Sequence, residues 1–100
     1  MRKIYLFCAA GMSTSVLVKK MKDYADSINY ECEITAYPVN EVDIHGPEAD
    51  IVLLGPQVRY ELKKVQAKLP DKHVEVINMA DYGMMRGDNV LKSVKKTLGD

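Results

Sequence analysis

The chain reads as an α/β protein: three layers, with a four-stranded parallel sheet of order 2-1-3-4 between helices. Two observations carry this reading. First, short apolar runs alternate with segments whose apolar residues recur at helical spacing, the pattern of strands joined by crossovers. Strands joined this way pair in parallel through right-handed connections. Second, the runs around Ile4–Phe7 and Ile51–Leu54 are wholly apolar, as strands buried on both faces are, whereas the other two are mixed. The apolar strands, first and third, therefore belong in the centre, and the second and fourth at the edges.

Each element follows from its residues. Lys3-Ile4-Tyr5-Leu6-Phe7 is the first strand. The first helix runs through Val16–Ile28, with Leu17, Met21, Tyr24 and Ile28 on one face and Lys19, Lys20, Lys22, Asp23 and Asp26 on the other. Ser13, Thr14 or Ser15 can cap it. Glu31 to Tyr37 alternates polar and apolar, an edge strand with one wet face, stopped by Pro38. Val39 to Asp50 is mainly a connection with room for a helical turn. Ile51-Val52-Leu53-Leu54 is the third strand, broken by Gly55-Pro56. Val58, Leu62, Val65 and Leu69 mark a second helix ended by Pro70. Val74 to Ile77 is the fourth strand, and Asn78 to Gly87 a loop. Val90, Leu91, Val94 and Leu98 form the last helix, closed by Gly99.

Composition narrows the function. One hundred residues, 47% of them hydrophobic, make one domain over 1–100 with a core that needs no disulfide or metal. Fourteen basic residues balance fourteen acidic ones, unlike the basic field of a nucleic-acid binder. No apolar run approaches the ~18–20 residues that span a bilayer, and the run after Arg2-Lys3 is too short for a signal peptide. A cytoplasmic protein is expected. Its two cysteines, Cys8 and Cys32, suit a reducing compartment with free thiols.

The chemistry gathers at Cys8-Ala9-Ala10-Gly11-Met12-Ser13-Thr14-Ser15. A cysteine stands where the first strand ends, and small residues and hydroxyls stand where a helix begins. A helix start leaves N–H groups without partners and carries partial positive charge, so a loop around it can hold an anion. A thiol there is pushed toward thiolate. Ligands of doubly wound sheets bind beyond the carboxyl ends of the strands, where the winding reverses. Here that point lies between strands one and three, beside Cys8 and Gly55-Pro56-Gln57.

These pieces, with Leu54-Gly55-Pro56-Gln57-Val58-Arg59-Tyr60 and Asp81-Tyr82-Gly83-Met84-Met85-Arg86-Gly87, resemble the IIB subunit of the lactose/cellobiose/chitobiose branch of the bacterial sugar phosphotransferase system. The resemblance covers essentially the whole chain. It implies a fold similar to low-molecular-weight tyrosine phosphatases and flavodoxin-like proteins. It implies a phosphoryl carrier: Cys8 would take a phosphoryl group from the phosphohistidine of a IIA protein. The acceptor would be a sugar, a β-disaccharide such as cellobiose, chitobiose or lactose, bound in the membrane protein IIC. Residues Ala9, Ala10, Gly11, Met12, Ser13, Thr14 and Ser15 would cradle the phosphate without metal or cofactor. Met12, Pro56, Gln57, Tyr82 and Met84 are candidates for the surface that meets the partners. No nucleic acid and no direct membrane insertion are implied.

Two other functions compete with this one. A stand-alone cysteine phosphatase or arsenate reductase of the low-molecular-weight type carries Arg six residues after its Cys, and here that position is Thr14. A receiver-like binding module would want an acidic cluster at the strand ends, which strands one and three lack. Neither histidine is a donor candidate, because His73 and His45 both lie toward the amino edge, opposite Cys8, with roughly 16 Å of strand between the edges. Several residues keep two readings. Met12, Met84 and Met85 are packing or an adaptable contact surface. Tyr82 bonds near the phosphate or fills its loop. Arg59 and the lysine groups read as solvated charges, and Cys32 as an inert strand thiol.

Overall fold

The computed structural model describes residues 1–9 and 13–100, the side chain of Ser13 excepted. Four strands form one parallel sheet: β1 (Arg2–Cys8), β2 (Cys32–Pro38), β3 (Ile51–Leu54) and β4 (His73–Val76), in the order β2-β1-β3-β4. This is the order expected from the apolar character of β1 and β3. Ile51, Val52, Leu53 and Leu54 are all buried, and so are Ile4 to Cys8, as central strands covered on both faces must be.

The helices are α1 (Ser13–Ser27), α2 (Val42–His45), α3 (Leu62–Lys68), α4 (Met79–Gly83) and α5 (Gly87–Leu98). They divide the core in two. Ile4, Leu6 and Cys8 point to one face, with Leu17, Met21 and Ala25 of α1 and Val90, Leu91 and Val94 of α5. Tyr5 and Phe7 point to the other, with Val42, Val58, Val65 and Leu69. The two-residue period of a strand thus assigns β1 side chains to alternate layers.

The sequence reading needs three corrections. The stretch 39–48 is helical throughout, with 3₁₀ turns at Val39–Glu41 and Gly46–Glu48 around α2. The second helix is split: Pro56–Glu61 is 3₁₀, and Val58 leaves helical backbone (φ −117°, ψ 23°) while burying its side chain, before α3 begins. The expected loop after β4 contains α4. Asn78 accounts for this, because its side-chain oxygen accepts the N–H of Ala80 at 2.9 Å and of Asp81 at 3.1 Å. Gly99 ends α5 as expected, at φ 78°, a conformation other residues adopt at a cost.

At the amino edge Arg2 donates to Asp100 through two nitrogens at 2.9 Å, and the Tyr30 hydroxyl donates to the same carboxylate. The lysines at 92 and 95 lie over the rings of Tyr24 and Tyr30 at 5.6 and 5.0 Å. They are surface charges with an aromatic contact rather than purely solvated ones.

Candidate functional site

Cys8 is the last residue of the central β1. Its Cα partner in β2 is Pro38, and the adjoining β3 is followed by Gly55, whose N–H donates to the Phe7 carbonyl at 3.0 Å. A Cβ built on Gly55 would stand 2.9 Å from the Cys8 sulfur, so the absence of a side chain at 55 leaves room for that sulfur. The topological switch point and the thiol therefore coincide, as the strand order requires.

The sulfur belongs to a cavity of about 250 Å³ lined by Cys8, Ala9, Thr14, Ser15, Ala36, Tyr37 and Pro38. That is several times the roughly 30 Å³ share of a water molecule, room for a phosphoryl group. Cys8 is only 3% exposed, at the floor of this cavity. The first turn of α1 brings two hydroxyls, Thr14 and Ser15, to the same wall. Among the described residues lining it, none is charged, and Tyr37 is the one titratable side chain besides Cys8.

The resting thiol is not pushed toward thiolate. Burial raises its pKa above the ordinary thiol value, and hydrogen bonding from the Thr14 side chain and the Gly55 backbone opposes this without cancelling it. The end of a fully buried strand brings desolvation, which opposes the anion-stabilising start of a helix.

Thr14 is itself 5% exposed, and its Oγ1 lies 3.1 Å from the Tyr82 hydroxyl of α4. Tyr82 therefore does more than fill its loop: its hydroxyl bonds a residue on the cavity wall. Tyr82 also walls a second, larger groove of about 800 Å³, with Pro56, Gln57, Arg59, Tyr60, Met79, Gly83 and Met85. Pro56, Gln57 and Tyr82 thus share one concave face. Met84, 71% exposed, stands outside that groove, in a hollow beside Lys20 and Asp23. Met85 packs against the helical core, and Arg59 is exposed on the groove's rim.

Of the expected cradle, Ala9, Thr14 and Ser15 line the cavity. Ser13 opens α1. Ala10, Gly11 and Met12 lie outside the described residues, and with them three of the expected anion-binding amides. Tyr37 and Pro38 were missed by the sequence reading. The signal for them was available, since an edge strand that pairs in parallel with β1 ends beside Cys8.

His73 is exposed at the start of β4, toward the amino edge as expected, but His45 is not at that edge: it stacks on Tyr37, the β2 residue paired with Phe7, with centroids 3.6 Å apart, and bonds Glu41 at 3.0 Å. Cys32 is half-buried against the α1–α5 core, and both cysteines are free thiols. Among the described residues no group of three or more His, Cys, Asp or Glu is placed to hold a metal ion, and no helix is long and apolar enough to cross a membrane.

Comparison with known proteins decides the family. The model of the lactose/cellobiose-specific IIB subunit of the phosphotransferase system matches residues 3–93. The chain belongs to this family. It is 48% identical over 90 residues to the oligo-beta-mannoside-specific EIIB component of Bacillus subtilis, covering 87% of this chain and 86% of that one. It is 41% identical over 102 aligned positions to the galactose-specific EIIB component of Lactococcus lactis, covering 95% and 94%. The solution structure of the cellobiose-specific IIB component of Borrelia burgdorferi superposes with a TM-score of 0.75 at 39% identity, covering 91% of this chain and 85% of that one. The lactose-specific IIB domain of Streptococcus pneumoniae has a TM-score of 0.84 at 14% identity, covering 95% of both, a likeness of fold. This IIB chain is therefore a phosphoryl-carrying component of a sugar phosphotransferase system, a phosphotransferase component that works with IIA and IIC partners.

Proposed function

We propose that Cys8 is the phosphoryl acceptor of this IIB chain, with the described residues Ala9, Thr14 and Ser15 and the adjoining segment 10–13 as its cradle. The observation that supports it most is the sulfur's position: the carboxyl end of the central strand, on the floor of a cavity with two hydroxyls on its wall. In the reaction the sulfur attacks phosphorus in line with the phosphohistidine nitrogen of IIA. The S–P bond forms, the N–P bond breaks, and the electron pair stays on the imidazole. A thiol held protonated by burial brings the proton that the departing imidazole takes up. Phosphoryl transfer depends on positioning and on charge stabilisation, and amides and hydroxyls supply the second without an arginine at Thr14.

The apolar groove beside the cavity suits IIA, because a partner seated against Pro56, Gln57 and Tyr82 would hold its histidine at the mouth of the Cys8 cavity. Met84, exposed in a separate hollow, would add to the partner surface. The second transfer goes to a sugar bound by membrane IIC, for which a β-disaccharide such as cellobiose, chitobiose or lactose is proposed; relatives specific for oligo-beta-mannosides and cellobiose support this, and one specific for galactose does not. The chain acts as one carrier domain over 1–100 in the cytoplasm.

The test is mass spectrometry after incubation with phosphoenolpyruvate, the general phosphotransferase proteins and a cognate IIA. One labile phosphoryl group is expected on the wild type and none on Cys8→Ser. Unaided turnover of an aryl phosphate would instead make the protein a phosphatase.

A further inference from the structure

We infer that Tyr82 is a positioning residue for the phosphoryl-accepting sulfur, acting by fixing the Thr14 hydroxyl as a donor to Cys8. This rests on the reading of Cys8 as acceptor and adds to it a residue that never touches the phosphoryl group. The geometry joins three elements: Cys8 at the end of β1 and Thr14 in the first turn of α1 line one cavity, and the hydroxyl of Tyr82 in α4, 68 residues further along the sequence, lies 3.1 Å from Thr14 Oγ1. Thr14 and Tyr82 are 5% and 7% exposed, so neither hydroxyl is freely served by bulk water. Among the described residues no buried side-chain nitrogen or oxygen lacks a hydrogen-bond partner.

Counting protons gives the link its direction. A threonine hydroxyl has one proton and two lone pairs. The Thr14–Tyr82 contact can be donated from either side. Thr14 and Cys8 line one cavity, where the Thr14 hydroxyl, acting as a donor, favours the thiolate. A thiolate or a phosphocysteine has no proton on sulfur and can only accept. Once Cys8 is in either form, the relay has the single Thr14 proton point to it, which leaves the Thr14 oxygen to accept from Tyr82. With the neutral thiol, the pair can run the other way, Thr14 donating to Tyr82. The charge on sulfur thus sets the sense of the hydrogen bond to Tyr82. Because Tyr82 also walls the large groove, a partner seated there borders the far end of the same chain.

The experiment reads the relay first without any partner. In a Cys32→Ser background, the pH profile of Cys8 alkylation by iodoacetamide is measured for the reference protein, Tyr82→Phe, Thr14→Val and the double variant. Tyr82→Phe keeps the buried ring and loses the donor; its profile is expected to move up by about half to one pH unit. Thr14→Val is expected to move it at least as far, and adding Tyr82→Phe to Thr14→Val to move it no further. An unmoved profile in Tyr82→Phe, or shifts that add in full, overturns the relay. A second measurement needs no variant: the ¹³Cζ shift of Tyr82 is expected to change at the same midpoint as alkylation, and a flat signal across it overturns the relay. With phosphorylated IIA, Tyr82→Phe is expected to take up phosphate on the order of tenfold more slowly. Uptake at the reference rate counts against the relay. Phosphate uptake by Cys8→Ser would instead sink the acceptor reading, and leaves the thiol titration to judge the relay alone.

Discussion

Replacing Gly87 with alanine is expected to destabilise the fold, against the ordinary preference of helices for alanine. Gly87 is the first residue of α5 and is buried where α5 meets α1. A Cβ there would stand 2.5 Å from the Met21 nitrogen, 2.6 Å from the Lys20 carbonyl carbon and 2.8 Å from Lys20 Cβ. Comfortable carbon contacts are about 3.5–4.0 Å, so the shortfall is about 1 Å. The two nearest atoms are helix backbone and cannot rotate away. The helices must part, loosening Leu17 and Met21 from Val90, Leu91 and Val94, all 5% exposed or less. Overpacking of this kind costs about 1–3 kcal/mol, and a backbone clash belongs at the upper end. The helix preference for alanine returns at most ~1 kcal/mol. A net loss of about 2 kcal/mol follows, which at ~4–8 °C per kcal/mol lowers Tm by about 8–16 °C. Equilibrium urea unfolding followed by circular dichroism would show a lower midpoint at unchanged slope. Gly83→Ala is the control: nothing lies within 4 Å of its Cβ position, and stability equal to or slightly above wild type is expected. If Gly87→Ala matched or exceeded the wild type, the close crossing of α1 and α5 would be refuted.

Two further outcomes follow. In Gly55→Ala the new Cβ meets the Cys8 sulfur at 2.9 Å and Gln57 Oε1 at 3.0 Å; the glutamine can swing away, but the sulfur hangs on one rotatable bond. Phosphate uptake from phosphorylated IIA is expected to fall roughly tenfold, since a 1 Å misplacement can cost ~100-fold, while the melting curve changes little; unchanged uptake would show that the contact is not felt. Asp100 is held down to about 2, first by hydrogen bonds from Arg2 and then by Tyr30. The unfolded chain binds the extra proton first as pH falls from about 4 toward 2, so stability is lost across that window. Asp100→Asn should flatten this part of a stability-versus-pH curve, and a curve unchanged in slope would count against the clamp.

The fold was legible because burial leaves a signature in composition. Ile4–Phe7 and Ile51–Leu54 could only be central, and once they were, Cys8 and Gly55 had to be neighbours. Helix faces were legible for the same reason: Val58, Leu62, Val65 and Leu69 do line one side of the core. What escaped was decided by single polar atoms or by distant contacts. The Asn78 side chain turns a loop into α4, and no periodicity announces it. Tyr82 reaches Thr14 only after the chain has returned through three strands. Burial raises the Cys8 pKa where a helix start alone would lower it, because helix polarity is local, whereas desolvation is produced by everything packed around the strand end.

The sheet also separates the chain's two thiols. Cys32 pairs with Arg2 at one end of β1, and Cys8 stands at the other. Six residue steps put them about 20 Å apart, far beyond the ~7 Å that a disulfide can bridge. A sulfenic acid formed on Cys8 by peroxide would find no second cysteine within its own chain to condense with. Recovery from oxidative damage must then come from glutathione-like small thiols or a reductase able to enter the 250 Å³ cavity, and the same narrowness that keeps water off the sulfur limits how quickly they arrive.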